Sequence, residues 1–184
     1  SQRTGIPSSR ILTAATHTHT APTALSLAQC SPDPQYLVYL TKQIAEAVIV
    51  AHDRMQPVEI GWGVAAAPDE INNRRWFINP EAMTANPFGR TDDLVRMNPP
   101  RGTGLLIRPA GPVDPDVTFL SVRSTDGAAL SLLANYGLHY VGGIAPGQLS
   151  ADYFGAFARQ IGTRLNGGRE FVGIMANGAS GDVN

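Results

Sequence analysis

The chain has 184 residues, of which 43% are hydrophobic and 16% charged, a composition that is ordinary for a globular protein with one sizeable core. Its 14 basic and 15 acidic residues form no long run of one sign, which argues against a nucleic-acid partner. A single cysteine, Cys30, excludes an internal disulfide framework, and no run approaches the roughly 18 apolar residues of a membrane span.

The first predicted element is a short buried strand at residues 11–16, an apolar stretch rich in strand-forming residues. It leads into a Thr-His-Thr-His sequence at residues 16–19, and Pro22 keeps the strand from continuing. Because side chains alternate along a strand, His17 and His19 are expected on one face, roughly 6.5 to 7 Å apart at the backbone. Two such imidazoles can supply a metal ligand, a general base, or one of each, although a hydrogen-bonded polar strand end has the same pattern.

Two amphipathic helices are predicted. The first begins in the Ser-Pro-Asp-Pro sequence of residues 31–34 and ends near Arg54, with an apolar residue at every fourth position: Tyr36, Leu40, Ile44 and Val48. His52 lies in its last turn, where the helix dipole favours an imidazole, so we interpret it as a surface residue and not a ligand. The second helix is capped by Ser150 and stopped by the glycines at 167–168, with an apolar stripe of Tyr153, Phe157, Ile161 and Leu165.

Four other segments have the alternating polar and apolar residues, or the short apolar run, that is typical of strands: 58–65, 117–123, 129–136 and 171–175. The Ser-Thr-Asp-Gly sequence at 124–127 predicts an antiparallel hairpin between the second and third of them. Residues 68–108 lack clear periodicity, and their aromatic and arginine content indicates a long functional loop, not disorder. The predicted fold class is therefore α/β, a mixed β-sheet flanked by helices with a long irregular loop, as part of a larger domain.

Polar and potentially reactive side chains follow three of the predicted strands. They are His17 and His19, then His139, and finally the small polar residues of the loop at 177–182. Enzymes of the α/β class place their chemistry at strand exits of this kind. If these strands lie side by side, the three histidines could converge on one metal, with Arg74 or Arg75 closing over it.

With these segments identified, the sequence resembles the neutral, non-lysosomal ceramidases. The resemblance is carried by Thr-His-Thr-His at 16–19, Asn73 with Arg74, the strand exit at 135–139, Ser-Ala-Asp-Tyr at 150–153, and residues 177–184. These segments occur in the order and at the approximate spacing of the amino-terminal domain of that family. The resemblance implies that residues 1–184 form a single domain, a fragment of the family's amino-terminal catalytic domain.

The resemblance implies a zinc-dependent hydrolase of sphingolipid metabolism that cleaves the amide of ceramide or of a related N-acyl lipid. Its zinc ligands would include His17 and His139, and the remaining ligands would come from the rest of the parent chain. His19 would sit beside the metal as proton acceptor or oxyanion partner, and Arg74 would match the family's active-site arginine, although neighbouring Arg75 leaves that choice open. The family also implies a secreted or periplasmic protein with peripheral membrane contact.

Two alternatives stay open beside the ceramidase-like amidase. One is a zinc hydrolase of the same fold with a non-lipid substrate, and the other is a non-catalytic structural or binding domain that keeps the histidines. An apolar slot near His17 and His139 would favour the lipid amidase, whereas a polar pocket would favour the non-lipid hydrolase. The resemblance departs at Asn184, where several ceramidases carry a serine; an attack by zinc-activated water does not need that serine.

Overall fold

The computed structural model describes residues 3–27, 29–100 and 104–184. Within these residues the chain forms two α-helices and seven strands, arranged in two sheets. Their bounds in chain order are α1 Pro34–Asp53, β1 Val58–Ala66, β2 Arg75–Ile78, β3 Val95–Met97, β4 Leu106–Pro109, β5 Asp116–Ser124, β6 Ala129–Tyr136, α2 Asp152–Arg164 and β7 Val172–Asn177. In this described part of the chain, neither helix is both long and apolar enough to cross a membrane.

The larger sheet has the strand order β1-β5-β6-β7 and confirms the four strand predictions outside the histidine loop. β5 pairs antiparallel with both β1 and β6, and the β5–β6 hairpin turns at Gly127, whose φ of 91° suits glycine. β7 pairs parallel with β6, because the chain returns through α2 before entering it. The sheet is therefore mixed, as expected.

The prediction of a long irregular loop at 68–108 is wrong in part. Three strands, β2, β3 and β4, form a second, antiparallel sheet in the order β3-β2-β4. Each strand is three or four residues long, too short for two-residue alternation to be visible in the sequence. Residues 101–103, which belong to the predicted loop, lie outside the described residues.

The predicted strand at 11–16 does not form. The segment has no ladder partner among the described strands, and Leu12 is 93% exposed. An apolar, strand-forming composition becomes a strand only where a neighbouring strand accepts its hydrogen bonds.

The core lies on one face of the larger sheet, where α2 packs against β7. Phe154 of α2 is buried there against the rings of Tyr140 and Tyr153, and Leu132, Ala134 and Met175 face it from the sheet. The opposite face stays exposed; we name it the apolar sheet face, with the members Ile60, Trp62, Val64, Leu120, Leu133, Val172 and Ile174. No residue of α1 is buried.

Two glycines in one cross-strand row of the larger sheet test this packing. A Cβ at Gly173 would lie 2.8 Å from Ile161 and 3.0 Å from the backbone of Ala158, whereas a Cβ at Gly61 would meet nothing within 4 Å. We expect Gly173→Ala to lower the free energy of unfolding by about 1–3 kcal/mol through overpacking against α2. Gly61→Ala should leave it unchanged or raise it by up to about 1 kcal/mol. Urea denaturation of both variants measures the difference, and equal effects would contradict the packing of α2 on β7.

Candidate metal centre

His17 and His19 reach the centre from a loop, not from a strand. His17 has a φ of 54°, in the left-handed region, where the backbone changes direction. The loop then turns, with the Thr20 backbone N–H donating to Thr18 Oγ1 at 3.2 Å. Thr20 Oγ1 donates to the Ser150 carbonyl at 3.0 Å, and the Ser150 N–H donates back to the Thr20 carbonyl at 3.2 Å. The threonines between and after the histidines therefore tie the loop to the chain just before α2.

His139 comes from the exit of β6 and is buried, at 5% exposure. Its Nδ1 lies 2.7 Å from the Ser180 carbonyl oxygen, and because a carbonyl can only accept, Nδ1 carries the hydrogen. Tyr153 of α2 donates its hydroxyl to the Leu138 carbonyl at 2.8 Å and holds the segment that precedes the histidine. The neutral imidazole of His139 therefore presents an unprotonated Nε2.

The three imidazoles converge. His19 Nε2 lies 3.3 Å from His17 Nε2 and 3.1 Å from His139 Nε2, and one ligand nitrogen from each of the three rings lies within 4.8 Å of the others. Four ligands placed tetrahedrally at the usual zinc–nitrogen distance of about 2.0–2.1 Å stand about 3.3 Å apart. The observed spacing is that of neighbouring ligands around one zinc-sized ion, so the donor set fits such a metal.

His19 has electrostatic surroundings that favour its neutral form. Partial desolvation of this largely exposed imidazole lowers its pKa below the ordinary value, and the charges that His139, His17 and Arg74 carry when protonated lower that pKa further. A neutral imidazole offers a lone pair, either to a metal or to a proton.

Arg74 also reaches this region, whereas Arg75 is an exposed residue of β2. Arg74 Nη2 donates to the Gly181 carbonyl at 2.5 Å, and its backbone N–H donates to the Asp182 carbonyl at 2.9 Å. Its Nε is buried and, among the described residues, has no hydrogen-bond partner. The guanidinium therefore keeps an unused N–H donor.

The loop that follows β7, residues 177–183, is one of the three predicted polar strand exits, and it supports the centre. Ser180 is buried and accepts from Asn177 Nδ2 at 2.7 Å. The buried Asn73 donates through Nδ2 to Asp182 Oδ2 at 3.3 Å. The loop contacts His139 and the Arg74 side chain through backbone carbonyls. Because every residue has a carbonyl, the sequence carried no signal for these contacts.

A cavity of about 610 Å³ opens beside Arg74. Polar and apolar groups line it in similar amounts, and none of the three histidines contributes to it: the lining residues are Asp69, Asn72, Arg74, Trp76, Asn98, Pro99, Leu106 and Asn184. Four amide or carboxylate side chains face this space together with one guanidinium. Because no histidine lines it, the cavity is neither the apolar slot nor the polar pocket expected near His17 and His139.

Comparison with known proteins finds similarity in the fold and not in the sequence. No protein-family profile matches the sequence, and no curated protein matches it. The fold matches the crystal structure of neutral ceramidase from Pseudomonas aeruginosa with a TM-score of 0.67 and 19% identity, over 92% of this chain and 25% of that one. A ceramidase complexed with C2 matches with the same TM-score and identity, over 92% of this chain and 24% of that one. The chain therefore has the fold of a part of neutral ceramidase and spans about a quarter of the length of these structures.

Proposed function

We propose that the chain is the histidine-bearing part of a zinc-dependent amide hydrolase that cleaves the N-acyl bond of ceramide or of a related N-acyl lipid. The observation that carries the proposal is the convergence of His17, His19 and His139, whose ligand nitrogens all lie within 4.8 Å of one another, so that two can hold a zinc ion and the third can act beside it. The fold shared with neutral ceramidase supports the substrate class. A lipid substrate would bring the protein to a membrane surface, in a secreted or periplasmic setting.

His17 and His139 would hold the zinc ion, and the rest of the parent protein would complete its coordination. Bound there, zinc supplies a Lewis acid for the amide carbonyl and lowers the pKa of a coordinated water. The lone pair of His139 Nε2 points toward the centre because the Ser180 carbonyl holds the proton on Nδ1.

His19 and Arg74 would carry the steps that involve protons and charge. His19 takes the proton from the attacking water and returns it to the amine nitrogen as the carbon–nitrogen bond breaks. The guanidinium of Arg74 donates hydrogen bonds to the oxygen that becomes negative when water adds to the carbonyl. The products are a fatty acid and a free amine.

A zinc hydrolase with a water-soluble substrate is the second candidate, because four amide or carboxylate side chains and one guanidinium face the cavity beside Arg74. Half of the eight residues that line that cavity carry amide or carboxylate side chains, and such groups can bind the hydroxyl or amide groups of a ligand.

The experiment that tests the proposal compares zinc content with the hydrolysis of two substrates. The parent protein, which carries the remaining ligands, is purified and dialysed against zinc, and its metal is counted by mass spectrometry. It is then given ceramide in detergent micelles or a short, water-soluble N-acetyl amine. We expect one zinc per chain and release of fatty acid from ceramide.

The other outcomes separate the alternatives. Hydrolysis of the soluble amide alone would favour the second candidate. One tight zinc without hydrolysis of either substrate would favour a binding domain, and absence of tight zinc would contradict the metal mechanism itself.

A further inference from the structure

We infer that Asn177 and Asn73 are positioning residues that hold one loop, residues 177–183, so that its consecutive carbonyls orient His139 and Arg74 together. The inference rests on the proposed function, since it concerns how His139 presents a nitrogen to a metal. The loop would thereby set the tautomer of the histidine and the direction of the arginine side chain.

The first step is the tautomer of His139. The Ser180 carbonyl accepts from His139 Nδ1 at 2.7 Å inside the protein, and this bond leaves Nε2 unprotonated and facing the other two histidines. A hydrogen bond to the second ring nitrogen is the usual device by which proteins orient a metal-binding imidazole. The position of one backbone oxygen thus decides whether Nε2 can bind a metal.

The second step is the direction of Arg74. The next carbonyl along the loop, that of Gly181, accepts from Arg74 Nη2 at 2.5 Å. The loop is also paired with the backbone around Arg74, where Asn73 forms an antiparallel bridge with Val183 and donates from its side chain to Asp182 at 3.3 Å. Asn73 is 3% exposed, so water cannot replace this bond readily.

The third step is what holds the Ser180 carbonyl in place. Asn177, the last residue of β7, donates to Ser180 Oγ at 2.7 Å and closes the loop on itself. The loop lies tightly against the exit of β6: a Cβ at Gly178 would come within 3.1 Å of the backbone of Tyr136 and Gly137. Asn177 is therefore the side chain that connects the end of β7 to the residue whose carbonyl is bonded to His139.

The test reads the tautomer of His139 directly. Nitrogen-15 NMR at pH 8, on metal-free protein, distinguishes protonated from unprotonated ring nitrogens, and zinc affinity is measured separately by chelator competition. For Asn177→Ala we expect His139 to populate both tautomers and zinc affinity to fall by about 10–100-fold, the usual effect of losing an outer-shell contact. Ser180→Ala removes the same hydrogen bond from its other end, so the double variant should be no worse than either single one.

Asn135→Ala is the matched control, because Asn135 is an exposed asparagine of β6, paired with Ala176 of the strand that ends at Asn177. It should change neither the tautomer nor the affinity. The positioning role is overturned if His139 keeps its single tautomer in both Asn177→Ala and Ser180→Ala. A shifted tautomer in a protein whose unmodified form binds no zinc would support the positioning role and reject the proposed function, so the two failures are distinguishable.

Discussion

Replacing His17 with asparagine is expected to lower zinc affinity by more than about 100-fold. Replacing a residue that only contacts a metal ligand usually costs about 10–100-fold in metal affinity. This change removes a candidate ligand itself, the His17 Nε2 that lies 3.3 Å from His19 Nε2. Asparagine is chosen because it tolerates the left-handed φ of 54° at this position, so the loop backbone should be preserved. Isothermal titration of zinc into the metal-free variant measures the loss.

His52→Asn is the matched control, since His52 sits near the end of α1 with its Nδ1 3.4 Å from Asp53 and is outside the histidine cluster. It should bind zinc as the unmodified chain does. Equal losses in both variants would point to scattered surface binding and would reject the site at His17.

Replacing Arg74 with alanine is expected to lower the rate of amide hydrolysis by about 10²–10³-fold, the effect of removing one donor to a developing oxyanion. Zinc affinity should stay unchanged or rise slightly, because the variant removes a positive charge that acts on His19. Arg74→Lys should recover only part of the rate, since an ammonium lacks the planar fork of the guanidinium. Initial rates on the substrate that the zinc-loaded chain hydrolyses measure the effect.

The neighbouring residue provides the control. Arg75 is exposed on β2, so Arg75→Ala should leave both the rate and the zinc affinity as they were. If Arg75→Ala slows hydrolysis as much as Arg74→Ala does, or if Arg74→Ala loses zinc, the assignment of the oxyanion donor to Arg74 is wrong.

The local sequence pattern predicted those elements whose capping or turn residues lie within or next to them. The helix at Pro34–Asp53 begins where Asp33 accepts from the Gln35 N–H, and the hairpin turns at Gly127, both as the residue types indicate. The strand expected at 11–16 failed because its formation depends on a partner strand, which composition does not encode. The short strands at 75–78, 95–97 and 106–109 were missed because three or four residues cannot display a period.

At the candidate site the sequence predicted which residues meet, but not how they meet. The grouping of His17, His19 and His139 followed from their places at strand exits, and the structure brings them together. The expectation that the first two share a strand face is wrong, because the left-handed backbone at His17 turns the loop instead. The contact of the Ser180 carbonyl with His139 could not be predicted, because every residue has a backbone carbonyl.

The apolar sheet face has a thermodynamic consequence. The chain exposes 13269 Å² to solvent, whereas a compact monomer of this length exposes roughly 8,500 Å². The heat-capacity change of unfolding scales with the apolar area that unfolding newly hydrates, and the side chains on this face are largely hydrated already. The stability of the 184-residue polypeptide should therefore vary with temperature along a flatter curve than is usual for its size, with a weaker hydrophobic contribution at every temperature.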